Sequence, residues 1–580
     1  MISVSRKKWI EKKINKNSIE KIKQDFKFSD IISKLIISRN FDINEINSIK
    51  NSFPIINNFT KNKDFINATS VLEKCINNKD LICIFGDYDV DGTASTSLFA
   101  KFFNHIKHPY FFFIPERERD GYGPSKLIFE KLILKKPKLI IMVDCGSTSN
   151  QSVEYLNHNN IKSIIIDHHE INKPYPKSDV IINPKKNMNI FLKDYYCATT
   201  LSYFFLEILV KKIKSSFNIS NYLIYVLLAL VCDVMPLRKI NRYIALNLIN
   251  NFKIKDNIIL KTLYEINKKQ NNLTIEDLGF FIGPVINSGG RLNNSKIAAD
   301  LLISENFDII KKNSLELTRL NNVRKVIEKN LLNEINFKEI EKNNKNVIIY
   351  YKPNINEGLI GIIASRLKDY FNKPTIVITN SKNILKGSAR STINYNIGNV
   401  IKKMMDEKII ESGGGHNMAA GFTLTKENFP KFKEFIFNDY SKNKISLTST
   451  FEFDAQISSK AFNKDFFDDI NQLSPFGNGN PLPTFLFNNL KIMKSTIVKE
   501  KYISCILKPK IGSSIKSISF HSLNSKIAVN LLNYKKNLSV IGQINENFWN
   551  NKKTLQLIIK DLILWFIIDL INKDFSNKRP

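Results

Sequence analysis

Gly86-Asp87-Tyr88-Asp89-Val90-Asp91-Gly92 follows the apolar, partly β-branched run Leu81 to Phe85 and precedes a small-residue, helix-compatible segment from Thr93 to Phe103. An apolar run that stops at an acidic turn and gives way to a helix-compatible stretch reads as strand, loop, helix. The pattern recurs: Leu139 to Val143 ends in Asp144-Cys145-Gly146, and Ser163 to Ile166 ends in Asp167-His168-His169. Strands alternating with helices predict a mostly parallel α/β sheet, whose ligands bind outside the carboxyl ends of the strands. The acidic tips are therefore expected to converge.

Beyond this sheet the sequence is mostly helical up to about residue 305. Leu320, Val323, Ile327, Leu331 and Ile335 then recur at three- and four-residue spacing, which predicts a long amphipathic helix connecting domains. A second α/β unit follows, with strand-like Val347 to Tyr351, a helix from Leu359 to Tyr370, strand-like Thr375 to Thr379, and glycine-containing loops at Lys386 to Ser391 and Gly413 to His416. From about residue 447 the texture changes to short β-rich runs with turn residues, as in a small antiparallel barrel. The expected division is 1–305, the sheet domain with an N-terminal extension; 306–344, the connecting helix; 345–446, the second α/β domain; and 447–580, the barrel.

A chain of 580 residues suits this multidomain reading, and 43% hydrophobic with 24% charged residues excludes a disordered or fibrous protein. The net charge of +32 favours polyanionic partners. Lys, Asn and Ile are enriched even in evident loops such as Asn343-Asn344-Lys345, so part of that charge reflects composition rather than function. The longest apolar runs, Tyr222 to Cys232 and Leu562 to Ile568, fall short of the ~20 residues of a membrane span. The N-terminal residues lack the apolar core of a secretory signal, and six cysteines show no C-x-x-C spacing. A reducing cytoplasm, no membrane and no disulfide framework are expected.

Asp89, Asp91, Asp144 and Asp233, with His168, place carboxylates and one imidazole on separate predicted strand ends. Hard oxygen donors with a single nitrogen suit Mn²⁺ or Mg²⁺ better than zinc, and two such ions ~4 Å apart activate water for attack on a phosphoryl group. Any one of these aspartates alone reads equally well as a helix cap or turn residue; together they do not. Asp87 to Gly92 resembles an EF-hand opening, but no glutamate stands at the twelfth position and a strand precedes it. Cys145 and Cys232 read as packing thiols. If His168 faces metals, His169 is the candidate for touching phosphate, with Asp167 orienting a histidine. The loops Pro115 to Gly123 and Ser388 to Ser391 offer guanidinium forks and backbone N–H groups to a phosphate, and His416 follows three glycines that allow close approach. Phe451, Phe453, Phe520, Phe548 and Trp549 suit base stacking, though aromatic residues in a barrel are more often core.

These motifs, Gly86 to Gly92, Val143 to Gly146, Asp167-His168-His169 and Asp233, resemble the successive motifs of the DHH phosphoesterase superfamily. Gly358 to Arg366 and Gly414 to Gly421 resemble its companion DHHA1 domain. Leu473-Ser474-Pro475-Phe476-Gly477-Asn478-Gly479-Asn480-Pro481 and the β-rich tail are similar to the OB-fold domain of the single-strand-specific exonucleases in that superfamily. The resemblance covers residue 70 onward. It implies 5′→3′ degradation of single-stranded DNA in recombination and repair, with two Mn²⁺ or Mg²⁺ ions. It assigns metal ligation to Asp89, Asp91, Asp144, His168 and Asp233, with Asp87 nearby. It also gives the 5′ phosphate to Arg117, Ser388 and Arg390, and the strand or scissile phosphate to Arg291 and His416. A monomer working with a RecQ-type helicase and a single-strand-binding protein is the corresponding partner expectation.

The family pattern changes at Val285, where an arginine is usual, at Asn293-Asn294, where an acidic pair is usual, and at Ile355-Asn356, where Trp-His is usual. These departures leave the ion-binding acids intact and bear on DNA contacts. Two other readings are a phosphodiesterase for short oligonucleotides or cyclic dinucleotides, against which the barrel speaks, and a non-catalytic DNA-binding scaffold, against which the retained carboxylates speak.

Overall fold

The computed structural model describes residues 2–565, apart from Ser52, Tyr122, 187–194, 270–271, Asn293, 344–345, 443–449, Asn524, Lys535 and 550–551. Its residues fall into two compact units, one built from 55–236 and 247–445, the other from 1–54, 237–246 and 446–580.

In the first unit, five parallel strands run in the order Tyr110–Phe113, Ile82–Gly86, Leu139–Val143, Lys162–Ile166, Val180–Ile182. Ile82–Gly86 and Leu139–Val143 are buried along their whole length, which is why they read as unbroken apolar runs rather than alternating ones. One face packs Cys83, Phe85, Ile140, Met142 and Ile165 on Ile128, Phe129, Leu132, Val153 and Leu156. The helix Val90–His105 is buried from Val90 to Phe103, and its many small residues let the helix Ala198–Lys212 approach closely. Gly92 is required in the first turn of Val90–His105: a Cβ there would lie 2.6 Å from both backbone N and O of Asp87.

The same unit holds a second sheet in the order Ser412–His416, Ala419–Leu424, Ile384–Arg390, Thr375–Ser381, Ile348–Tyr351. Only the last two strands pair in parallel. The helix Glu357–Phe371 covers one face, with Leu359, Ile363 and Leu367 buried against Ile348 and Val377. The predicted connector is a 28-residue helix, Phe307–Glu334, about 42 Å long at 1.5 Å per residue. It ends at Ile335, and a separate short helix, Phe337–Asn343, follows, so the expected single element over 306–344 is two.

In the second unit, strands Ala455–Gln456, Phe485–Val498, Tyr502–Pro509, Ile515–Ser519, Lys552–Leu564 and Asn537–Trp549 form a six-stranded sheet. It closes because Phe485–Val498 pairs with both Tyr502–Pro509 and Asn537–Trp549, bending through register shifts at Phe487/Leu490 and Ile492/Lys494. Residues 1–54 belong with this barrel, a correction to their expected place beside the parallel sheet. Lys8–Glu11 pairs in parallel with Thr450–Phe453, and Ile32, Leu35, Ile36, Phe41 and Ile46 join the barrel's own core. Buried Asp561 fixes the join, accepting hydrogen bonds from Ser5 Oγ at 2.6 Å and Trp9 Nε1 at 3.0 Å. Among the aromatic candidates Phe453 is core, whereas Phe520 is exposed with its ring edge-on to Tyr502. The side chains of Phe548 and Trp549 lie outside the described residues.

Candidate metal centre and phosphate cavity

The carboxyl ends of three adjacent parallel strands deliver Asp87 and Asp89, Asp144, and Asp167 with its two histidines. Asp233 arrives differently from expectation. It caps the C-terminus of the buried helix Leu223–Cys232 rather than ending a strand, because its apolar run coils as a helix buried on almost every side. The side chains nevertheless meet. His168 Nε2 lies 3.6 Å from Asp91 Oδ2, 3.3 Å from Asp144 Oδ1 and 3.5 Å from Asp233 Oδ2. Three sets of ligand atoms, Asp87/Asp89/Asp144, Asp91/His168/Asp233 and Asp144/His168/His169, each fall within 4.8 Å of one another.

Burial and mutual repulsion dominate the electrostatics. Burial, then the neighbouring charge of Asp89, pushes Asp87 up to about 8; burial, then Asp91 and Asp89, does the same for Asp233. Asp144 is raised by burial and then by Asp91, Asp89, Asp87 and Asp167. Oδ1 of Asp87 and Oδ1 of Asp144 are buried without a hydrogen bond. Buried oxygens in that condition, with a nitrogen donor among them, fit a divalent cation, which would remove the repulsion. His168 suits ligation because burial lowers its pKa and leaves the ring neutral.

Asp167 has another task. Its Oδ1 accepts from His169 Nδ1 at 2.8 Å and from the backbone N–H groups of His168 and His169, while Oδ2 accepts from Ser147 N. Against the opposing effect of burial, these bonds hold Asp167 below the usual carboxylate range and raise His169 to about 9. His169 is therefore a held imidazolium. The ring of His416 lies 6.4 Å from it, with the planes 15° apart.

A cavity of about 220 Å³ opens beside these groups, lined by Asp87, Tyr88, Asp89, Arg117, His169, Asn287, Gly290 and Arg291. Arg117 stacks over Tyr88, 4.4 Å from the ring centroid, and donates to its hydroxyl at 2.6 Å. Arg291 donates to Gly358 O at 3.0 Å, and Arg390 donates to Ser388 Oγ at 3.1 Å. Burial, then repulsion from Arg117, Arg324 and Arg390, lowers Arg291 to about 10; burial and Arg117 likewise lower Arg390. Cations crowded closely enough to depress one another define a place for a multiply charged anion.

Asp87, Asp89, Asp91, Asp144, His168, His169 and Asp233 meet at this centre, Asp167 holds His169, and Arg117 and Arg291 line the cavity. Arg390, bonded to Ser388, lies near enough to feel Arg117, His416 lies beside His169, and the aromatic candidates belong to the barrel unit. Sequence reasoning missed Tyr88, which holds Arg117; Arg324, which reinforces the positive field from the long helix; and Lys185, paired with Glu170 at 2.9 Å. Lys185 follows the carboxyl end of Val180–Ile182, so the strand-end rule could have found it. Of the departures, Val285 is fully buried away from the cavity, and Asn293 lies outside the described residues. Asn356 caps the helix Glu357–Phe371 and donates to Glu118 Oε1 at 2.8 Å, tying the basic loop to the second sheet domain.

Three family models match the chain in order: the DHH family, N-terminal domain, over 81–230; the DHHA1 domain over 344–442; and the RecJ OB domain over 453–561. The single-stranded-DNA-specific exonuclease RecJ of Haemophilus influenzae is 28% identical over 516 residues, 85% of this chain and 89% of that protein. Its counterpart in Bacillus subtilis is 26% identical over 589 residues, 98% of this chain and 72% of the other. The chain belongs to the RecJ family. The crystal structure of Thermus thermophilus RecJ in complex with Mn²⁺ shares the fold with TM-score 0.80 and 21% identity, covering 96% of this chain and 79% of that one. RecJ from the same organism in complex with Mg²⁺ superposes with TM-score 0.74 and 19% identity, covering 96% and 78%. The RecJ-family assignment accounts for the expected sheet domain, DHHA1 domain and OB barrel together.

Proposed function

We propose that the chain is a single-strand-specific DNA exonuclease that digests 5′→3′ by two-metal phosphodiester hydrolysis, with Mn²⁺ or Mg²⁺, in recombination and repair. One observation carries this: repelling carboxylates with bare buried oxygens stand at the wall of a cavity rimmed by arginines. Asp87, Asp89, Asp91, Asp144, His168 and Asp233 would hold the ions. Bound there, such cations lower the pKa of water and offset charge on phosphoryl oxygens.

The protein's residues do the rest. Arg117, Ser388 and Arg390 hold the 5′ phosphate by charge-assisted hydrogen bonds, registering the first nucleotide. Arg291 and His416 bind the following backbone. His169, kept protonated by Asp167, presents its other ring nitrogen as a donor to the scissile phosphate, where negative charge grows in the transition state. The barrel binds the rest of the strand, with stacking and phosphate contacts usual for OB folds. The barrel and the intact acids favour this over a short-oligonucleotide or cyclic-dinucleotide phosphodiesterase and over a scaffold.

No helix among the described residues is long and apolar enough to cross a membrane. A monomer in the cytoplasm, fed by a RecQ-type helicase and aided by a single-strand-binding protein, completes the reading. Digestion of 5′- and 3′-labelled single strands with and without Mn²⁺ tests it. Early release of the 5′ label, only with metal and not from duplex, is expected; 3′-first release or metal-independent cleavage would overturn it.

A further inference from the structure

The helix Ala198–Lys212 begins without a side-chain cap of its own, since Cys197 makes no capping bond. Its first N–H groups are satisfied instead from another helix, by a carboxylate of the metal centre. Ala198 N donates to Asp91 Oδ2 at 2.7 Å, Thr199 N donates to Asp91 Oδ1 at 2.8 Å, and Thr199 Oγ1 bonds the same Oδ1 at 2.6 Å. Ser95 Oγ, one turn beyond Asp91, lies 3.0 Å from Thr199 Oγ1. Asp91, Ser95 and Thr199 are all buried.

Counting lone pairs gives this arrangement a consequence. An ionised carboxylate accepts about four hydrogen bonds, two on each oxygen. Oδ1 of Asp91 is saturated by the two Thr199 donors, whereas Oδ2 takes only Ala198 N and keeps one lone pair. Oδ2 is also the oxygen that lies 3.6 Å from His168 Nε2. The carboxylate can only accept, and so can the Asp91 carbonyl O, 3.0 Å from the same hydroxyl; the Thr199 proton goes to the nearer Oδ1, and Ser95 then donates to Thr199.

We propose that Thr199, backed by Ser95, is a positioning residue that makes Asp91 a one-oxygen ligand of fixed orientation, presenting Oδ2 alone to the cation beside His168 and Asp233. The proposal rests on the metal reading of the site. Without the hydroxyl, Oδ1 keeps a single N–H donor, and the carboxylate is free to tilt or to offer both oxygens.

The test titrates Mn²⁺ into the full chain by calorimetry and by the Mn²⁺ spin-resonance spectrum, with melting in EDTA alongside. Thr199→Val keeps the shape and removes the donor; Mn²⁺ affinity should fall about 10- to 100-fold. The spectrum of bound Mn²⁺ should change, kcat should drop and KM for single strands should hold. Thr199→Ser should restore affinity and spectrum, and Ser95→Ala should weaken binding in the same direction by less. Wild-type affinity and spectrum in Thr199→Val, or a Thr199→Ser variant as weak as it, would overturn the proposal. If Thr199→Val does not fold, an unchanged Ser95→Ala titration would do so. Asp144→Ala separates the two readings: its loss of Mn²⁺ binding sustains the metal centre even where Thr199 proves indifferent.

Discussion

Asp87→Asn should stabilise the metal-free protein and inactivate the loaded one. Asp87 is buried, one of its oxygens takes no hydrogen bond, and burial with Asp89 raises its pKa to about 8. A carboxyl whose folded-state pKa stands above its unfolded value makes the folded state bind the extra proton between the two values. Stability therefore falls as pH rises through that window, by about 1.4 kcal/mol per pH unit for each proton retained. Asparagine mimics the protonated form and carries no such linkage. Between about pH 5 and about pH 7 the advantage of the variant over wild type in EDTA should grow by about 1–3 kcal/mol. Urea unfolding at the two pH values reads it. With Mn²⁺ present the wild type should recover, since the cations favour the ionised carboxylates, while the variant loses about 10³-fold in cleavage, near 4 kcal/mol of transition-state stabilisation. Parallel pH curves in EDTA, or cleavage by Asp87→Asn within tenfold of wild type, would refute the reasoning.

Asp167→Asn should let the pKa of His169 fall from about 9 toward its ordinary value, so a pH–rate profile should lose its alkaline side first and keep more activity under acid conditions. Arg390→Ala should cost about 1.5–3 kcal/mol in binding 5′-phosphorylated strands and little in binding 5′-hydroxyl strands, read by competition between the two ends. Asp561→Ala strands Ser5 and Trp9, so the barrel unit should lose about 1–3 kcal/mol in urea unfolding while Mn²⁺ titration stays unchanged. Binding of single strands should weaken steeply with added salt, and an unchanged affinity would exclude phosphate contacts as its main source.

The parallel sheet and most of its acids were legible because a strand, an acidic turn and a helix are adjacent in sequence and each leaves a local signature. Asp233 could be named but its expected place on a strand end was wrong: periodicity does not separate a buried strand from a buried helix, and the length of the eleven-residue apolar run was the signal for the helix. The docking of residues 1–54 on the barrel was hidden for a different reason. Lys8–Glu11 finds its partner at Thr450–Phe453, and no periodicity announces pairing over such a separation. Roles set by hydrogen bonding were also out of reach. Thr199 looks like any helix-start threonine until the oxygens of Asp91 are found on it, and Arg324 looks like one more cation on a solvated helix.

The barrel unit is assembled from three stretches of chain, the first 54 residues, ten near residue 240 and those from 446 onward, with the other unit's sequence threaded between them. During synthesis the leading strand must wait until more than four hundred further residues have emerged before its partner Thr450–Phe453 exists. The parallel-sheet unit can condense meanwhile from shorter-range contacts. Closing so wide a loop is slow, and an unpaired strand and an uncovered apolar helix face are exposed throughout the interval. Chaperone dependence of this protein should accordingly trace to residues 1–54, which await their distant partner, rather than to the parallel-sheet unit.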